Sequence, residues 1–211
     1  MVIPKDFYPR LITALFLTTG FLVSYFYMPI LLSIAFGALL LVILIYEWPK
    51  IGPWWLTPLY PVLPCILLIL LNQSLDRRLI LFIFIMCALF DTAGYIFGSL
   101  FGKHKLASSL SPKKSWEGLL AGITAVFIIA PLLMNMLNLP ATSLGFWYYI
   151  FMVFFCFLAL AGDLLVSYFK RRAGVKDTSN LLPGHGGLLD RLDSILLTTI
   201  LVYTCKSYLV S

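Results

Sequence analysis

Carboxylates in an apolar chain are the residues to begin with, because an ionised group in hydrocarbon is costly unless a partner compensates it. Asp91 falls in the middle of the apolar stretch 79–101, and Asp163 lies near the polar end of the stretch 146–169. Asp190 and Asp193 open the last apolar stretch, 189–210, and their i,i+3 spacing puts both on one helix face. Asp163, Ser167 and Lys170 follow at i, i+4 and i+7, a stripe leading into the polar run "KRRAGVKDTSNLLPGHGGLLDRLD". Carboxylates crowded in a low dielectric do not all stay ionised unless a cation joins them. Hard oxygen ligands suit Mg²⁺, which is usually held by one or two carboxylates plus substrate phosphates. The plainer reading of Asp190 and Asp193 is a pair of acids favoured by a helix N-terminus. It leaves Asp163 unexplained, since that residue sits near a helix C-terminus.

Parts suited to phosphate surround these acids. Gly184, Gly186 and Gly187 of "PGHGG" can bring backbone N–H groups close to an anion. Lys170, Arg171, Lys176 and Arg191 supply positive charge beside Asp177, and a second polar segment, "GKHKL" and "SPKKSWEG", adds Ser111, Lys113 and Lys114. Singly, each admits a plainer account: a turn for "PGHGG", topology signals or headgroup contacts for the basic runs, a hydrogen-bonded loop residue for His185. With the acids, they describe a site for a polyphosphate and a metal at a membrane face. In the fourth apolar stretch Asp91, Gly94, Gly98 and Gly102 share one helix face, so Asp91 is expected to point into a tight helix interface or a cavity. Gly118 and Gly122 read as packing positions in the fifth.

The elements that must position these residues follow from composition. Of 211 residues, 61% are hydrophobic and 11% charged, against about 45–50% and about 25% in soluble domains. The apolar residues fall in long blocks, so the chain is an integral membrane protein. Its net charge of +6 then marks loops near anionic lipid; nucleic acid is not an expected partner. A bilayer core about 30 Å thick needs around 20 apolar helical residues. Seven spans are expected, near 10–28, 29–46, 55–71, 79–101, 117–137, 146–169 and 189–210. The third is weakest, with Pro58, Pro61 and Pro64 inside it. The first has a basic flank but no small-residue cleavage site, so it reads as a retained span. All but Arg77, Arg78 and Lys206 of the 15 Lys and Arg residues then lie on the side of the N-terminus. The positive-inside rule puts that side, with loops 102–116 and 170–188, in the cytoplasm. Cys65, Cys87, Cys156 and Cys205 stand singly in apolar stretches and read as packing residues.

The run from Ser167 to Asp193 resembles the signature of the phosphatidate cytidylyltransferase (CDP-diacylglycerol synthase) family: Ser-x-apolar-Lys-Arg, Lys-Asp, Pro-x-His-Gly-Gly, Asp-Arg-x-Asp. "DTAGYIFGSLFGKHKL", "SPKKSWEG" and "AGDL" are similar to further blocks of that family. The resemblance is strong over residues 85–211 and looser over 1–75, where the second span ends in "YEW". Departures are Ala93-Gly94 in place of Gly-Ala, Ser99 in place of arginine, and an N-terminal part that lacks a pair of spans found in longer members. The resemblance implies a single membrane domain over 1–211, all-α and multi-pass, in a bacterial inner membrane with its active site cytoplasmic. It implies the reaction CTP + phosphatidate → CDP-diacylglycerol + pyrophosphate, in phospholipid biosynthesis. Asp163 and Asp190 would be the metal-binding acids for Mg²⁺, with Lys176 and Asp193 also catalytic; a second cation and a homodimer stay open. A CTP-dependent lipid kinase or another lipid nucleotidyltransferase is the nearest alternative. A secondary transporter is the remaining one, disfavoured because no inverted repeat is visible and the acids other than Asp91 lie towards one face.

Overall fold

A computed structural model describes residues 7–139, 145–183 and 186–210. Its chain folds into a bundle of long helices with one short hairpin. The helices are α1 (Phe7–Tyr27), α2 (Pro29–Ile51), α3 (Trp54–Gln73), α4 (Arg78–Phe101), α5 (Trp116–Met136), α6 (Phe146–Arg172), α7 (Leu189–Thr204) and the short α8 (Lys206–Val210). Strands β1 (Lys105–Ala107) and β2 (Ser111–Ser115) pair antiparallel between α4 and α5, with Lys105 opposite Ser115.

Each expected span has a helix, but the helices are not equally suited to crossing a bilayer. Among the described residues, α2 to α6 are the five helices long and apolar enough. The apolar part of α1 runs only from Leu11 to Tyr27. The last expected span is interrupted: α7 stops after 16 residues at Thr204 and α8 restarts at Lys206. At 1.5 Å per residue α7 is only about 24 Å long. Pro-rich α3 starts irregularly, with Tyr60 at non-helical φ −151° and ψ 111°.

Phe82 and Met86 of α4 and Met152 and Phe155 of α6 are buried in the core, with the Phe82 and Phe155 rings 5.8 Å apart, whereas Phe16, Ile30, Ile128 and Phe157 are exposed apolar side chains of the kind a bilayer would cover. The glycine stripe performs as expected. Gly94 and Gly98 lie against Gly118 of α5, and a Cβ at Gly118 would meet the Gly94 carbonyl oxygen at 2.5 Å. On α6, a Cβ at Gly162 would overlap the Asp193 carbonyl oxygen, so α7 approaches the α6 backbone there. Cys65, Cys87 and Cys156 are buried, Cys205 partly so, and all four are free thiols.

Polar groups separate to the two ends of the bundle. At one end Arg77 donates to the Tyr25 carbonyl and lies 4.5 Å over that ring, and Arg78 donates to the carbonyls of Leu137 (3.3 Å) and Asn138 (2.6 Å). These bonds satisfy carbonyls at the C-terminal ends of α1 and α5. The other end gathers the C-termini of α2, α4 and α6, the N-termini of α5 and α7, and the β hairpin.

Candidate active site

The N-terminus of α7 is the centre of the polar end. Asp190 lies in its first turn with a side chain only 4% exposed. Its Oδ1 accepts from Lys170 Nζ at 2.7 Å. Its Oδ2 accepts from the Thr178 amide at 2.9 Å, the Thr178 hydroxyl at 3.1 Å and the Gly187 amide at 3.1 Å. A buried carboxylate needs such donors, because an unpaired one is expensive. The Ser167 hydroxyl donates to Asp163 Oδ1 at 3.2 Å, and Lys114 Nζ stands 2.5 Å from Asp163 Oδ2. The stripe on α6 therefore serves both acids, Ser167 holding Asp163 and Lys170 reaching Asp190.

The hairpin explains how a lysine 49 positions before Asp163 arrives there. Successive residues of a strand face opposite ways. Lys114 of β2 turns towards Asp163 and Lys113 stays exposed; Ser111 opens the strand opposite Ala107. Ser115 caps α5, its hydroxyl accepting the Gly118 amide at 3.1 Å. Arg171 Nε donates to the Leu110 carbonyl at 3.3 Å, fixing the hairpin turn to the end of α6. His104 Nδ1 and Glu117 lie 2.6 Å apart and close the hairpin base. Lys176 and Asp177 are exposed on the loop after α6.

The glycines of "PGHGG" divide. Gly184 and His185 lie outside the described residues. Gly186 has φ +80° and exchanges backbone hydrogen bonds with Leu182 at 2.9 and 3.2 Å. The N–H groups of Gly186 and Gly187 are therefore engaged with protein acceptors, where the sequence suggested an open anion cradle. Gly187 is required by space: a Cβ there would overlap the Thr178 hydroxyl and meet Glu47 Oε1 at 2.7 Å. Asp193 is buried, and its Oδ1 accepts the neighbouring Ser194 amide at 2.8 Å. It caps no helix end, since α7 begins four residues earlier.

Glu47 is a residue the sequence reading passed over. It is fully buried at the end of a π-helical turn, Ile43–Glu47, in α2. Its Oε1 accepts from the Ser179 hydroxyl (2.6 Å) and the Leu188 amide (2.8 Å). Its Oε2 accepts from the Leu189 amide (2.7 Å) and the Thr178 hydroxyl (3.2 Å). The signal was available: Glu47 is an ionisable residue on the edge of an apolar run, the test that selected Asp91 and Asp163. Its place at the end of an expected span made it look interfacial.

Beside this cluster α1, α2, α4 and α7 enclose a cavity of about 710 Å³. Phe16, Phe21, Leu39 and Phe84 make it apolar, while Asp91, Arg191 and Ser194 line its polar part. Asp91 thus faces a cavity, as the glycine stripe implied. Among the described residues no group of three or more His, Cys, Asp or Glu is arranged to hold a metal. The donor set is two carboxylates, each already beside a lysine. That does not fit an all-protein metal cage. It does fit a Mg²⁺ that completes its shell with phosphate oxygens and water.

The sequence matches the cytidylyltransferase family over residues 6–209. It is 40% identical over 152 residues to a phosphatidate cytidylyltransferase of Rickettsia conorii, covering 70% of this chain and 66% of that protein. A phosphatidate cytidylyltransferase of Mycobacterium bovis is 47% identical over 110 residues, covering 50% and 34% of the two chains. One from Haemophilus influenzae is 41% identical over 121 residues, covering 56% and 41%. The aligned part is thus about two thirds of the Rickettsia protein and less than half of the other two. A match over nearly its whole length places this chain in the cytidylyltransferase family.

Proposed function

We propose that this protein transfers the cytidylyl group of CTP to phosphatidate, giving CDP-diacylglycerol and pyrophosphate, at the cytoplasmic face of a membrane it crosses seven times. The observation that carries the reading is one juxtaposition. The lysine-paired acid Asp190 directly precedes Arg191, which with Asp91 lines the polar part of an apolar cavity, and the lysine-paired Asp163 lies on the neighbouring helix α6. A site built this way suits one soluble polyanionic substrate and one with acyl chains.

The chemistry asks little proton transfer of the protein. A phosphatidate oxygen is already nucleophilic; it bonds to the α-phosphorus of CTP as the bond to the bridging oxygen of pyrophosphate breaks. Positioning and charge neutralisation carry such a reaction. Lys114 and Lys170 are placed to turn from their carboxylates to phosphate oxygens, and Lys176, Arg171 and Lys113 add positive potential where CTP would enter. Arg191, which lines the polar part of the cavity, would hold the lipid phosphate there, and the apolar walls suit acyl chains. Asp163 and Asp190 would hold Mg²⁺, which supplies further charge neutralisation on the phosphates. Asp193, buried in the first turns of α7, would be available to a second cation.

The test is direct. Protein purified in detergent, given labelled CTP, phosphatidate and Mg²⁺, should produce a cytidine-bearing lipid and pyrophosphate. Free CDP with phosphorylated lipid would make it a lipid kinase instead.

A further inference from the structure

Beside Asp190, a second carboxylate at the polar end accepts four donors, and it belongs to α2. Glu47 accepts four donors from a segment 131–142 residues further along the chain. Two are the amides of Leu188 and Leu189, which open α7, and no local side chain caps that helix. The first amides of a helix have no intrahelical partner and favour an anion. A carboxylate with one oxygen on each of two consecutive amides satisfies both needs from a distant element. The other two donors, the Thr178 and Ser179 hydroxyls, lie on the loop that leads back to α7. One carboxylate therefore ties Thr178 and Ser179 to the residues that open α7, and Gly187 must be glycine because this arrangement leaves no room for a Cβ.

The link to Asp190 is a single hydroxyl. Thr178 Oγ1 lies 3.2 Å from Glu47 Oε2 and 3.1 Å from Asp190 Oδ2 and shares its single proton between them, while its amide, with that of Gly187, donates to the same Asp190 oxygen. Thr178 alone supplies two of the four donors to Asp190, its amide and its hydroxyl. Glu47 itself is fully buried and lines no part of the cavity described above.

We infer that Glu47 is a positioning residue: it clamps Thr178 and Ser179 to the start of α7 so that Thr178 and Gly187 hold Asp190 in its working orientation. For its activity arm the inference rests on the cytidylyltransfer reading. Glu47→Gln replaces one acceptor oxygen by a donor, so at least two of the four donors lose their partner. Thr178→Val keeps the shape and removes the hydroxyl. Each should lower kcat for cytidylyl transfer at least tenfold while changing KM for CTP less than threefold, because neither side chain touches substrate. The double variant should lie within threefold of the worse single one, since both act through the same hydroxyl; independent effects would multiply to a hundredfold or more.

A second arm needs no activity. Leu181 is an exposed residue inside the clamped loop. In a Cys205→Ser background, Leu181→Cys should react with an impermeant thiol reagent at least fivefold faster when Glu47 is Gln. Unchanged labelling, or multiplying effects on kcat, overturns the clamp even if the enzyme is active. A parent protein that makes no cytidine-bearing lipid overturns the functional reading, and labelling then decides the clamp alone. Should Glu47→Gln fail to fold, Thr178→Val with the same labelled cysteine carries both arms.

Discussion

Asp190→Asn and Asp163→Asn should be indistinguishable in activity and different in stability. Each removes one carboxylate where negative charge on the transferring phosphates must be balanced. Turnover should fall at least a hundredfold in both, about 2.7 kcal/mol of lost transition-state stabilisation. Their surroundings differ. Asp190 is 4% exposed and accepts four donors, three of them on one oxygen. An asparagine would best keep those three and turn its amide nitrogen to Lys170, whose side chain is 12% exposed. The ammonium group then loses its partner in a largely buried place, a loss of about 2–4 kcal/mol. Asp163 is 27% exposed and, among the described residues, pairs with Lys114, itself 23% exposed, and Ser167. Solvent screens that pair, so Asn there should cost about 1 kcal/mol or less. The assay is turnover per folded molecule in detergent beside the thermal unfolding midpoint of each variant. Near-normal turnover in either variant would refute the two-acid site. A Tm loss for Asp163→Asn equal to that of Asp190→Asn would refute the distinction drawn from the hydrogen bonds.

Gly162→Ala should destabilise the protein by about 1–3 kcal/mol, because its Cβ would drive α7 off the α6 backbone at the Asp193 carbonyl; an unchanged unfolding midpoint would show that the two helices are not so close. Lys114→Ala and Lys176→Ala should raise KM for CTP at least as much as they lower kcat, since a point charge on phosphate acts in ground and transition states alike. Lys114→Ala should be the more severe, as it also leaves Asp163 without its cation; a larger effect at Lys176 in steady-state kinetics would argue against that. Cysteines placed singly at Ser109 and Leu181 in a Cys205→Ser background should react with an impermeant reagent only from the cytoplasmic side of sealed vesicles. Labelling from opposite sides would falsify the shared site.

Much of this protein was legible in its residues one segment at a time. Length and apolarity set the helices, because a bilayer-spanning segment has no water to satisfy its backbone and must close its own hydrogen bonds. The spacing of Asp91, Gly94 and Gly98 on α4 foretold a tight helix interface or a cavity on that face, and the stripe Asp163, Ser167, Lys170 foretold a shared polar face, because one turn of helix is a local and rigid ruler. The hairpin that turns Lys114 inward was not visible, since a three-residue strand carries too little pattern to read against a loop. Neither was the end of α7 at Thr204, where apolar sequence runs on through a helix break. Partnership was the part that only tertiary structure could decide. Lys170 pairs with Asp190, Lys114 with Asp163, and Glu47 reaches across more than 130 positions to the α7 amides. Such pairings depend on which helix ends meet and on which donors burial leaves unsatisfied. Spacing along one segment carries no information about either; only the assembled bundle brings the donors of one segment to the acceptors of another.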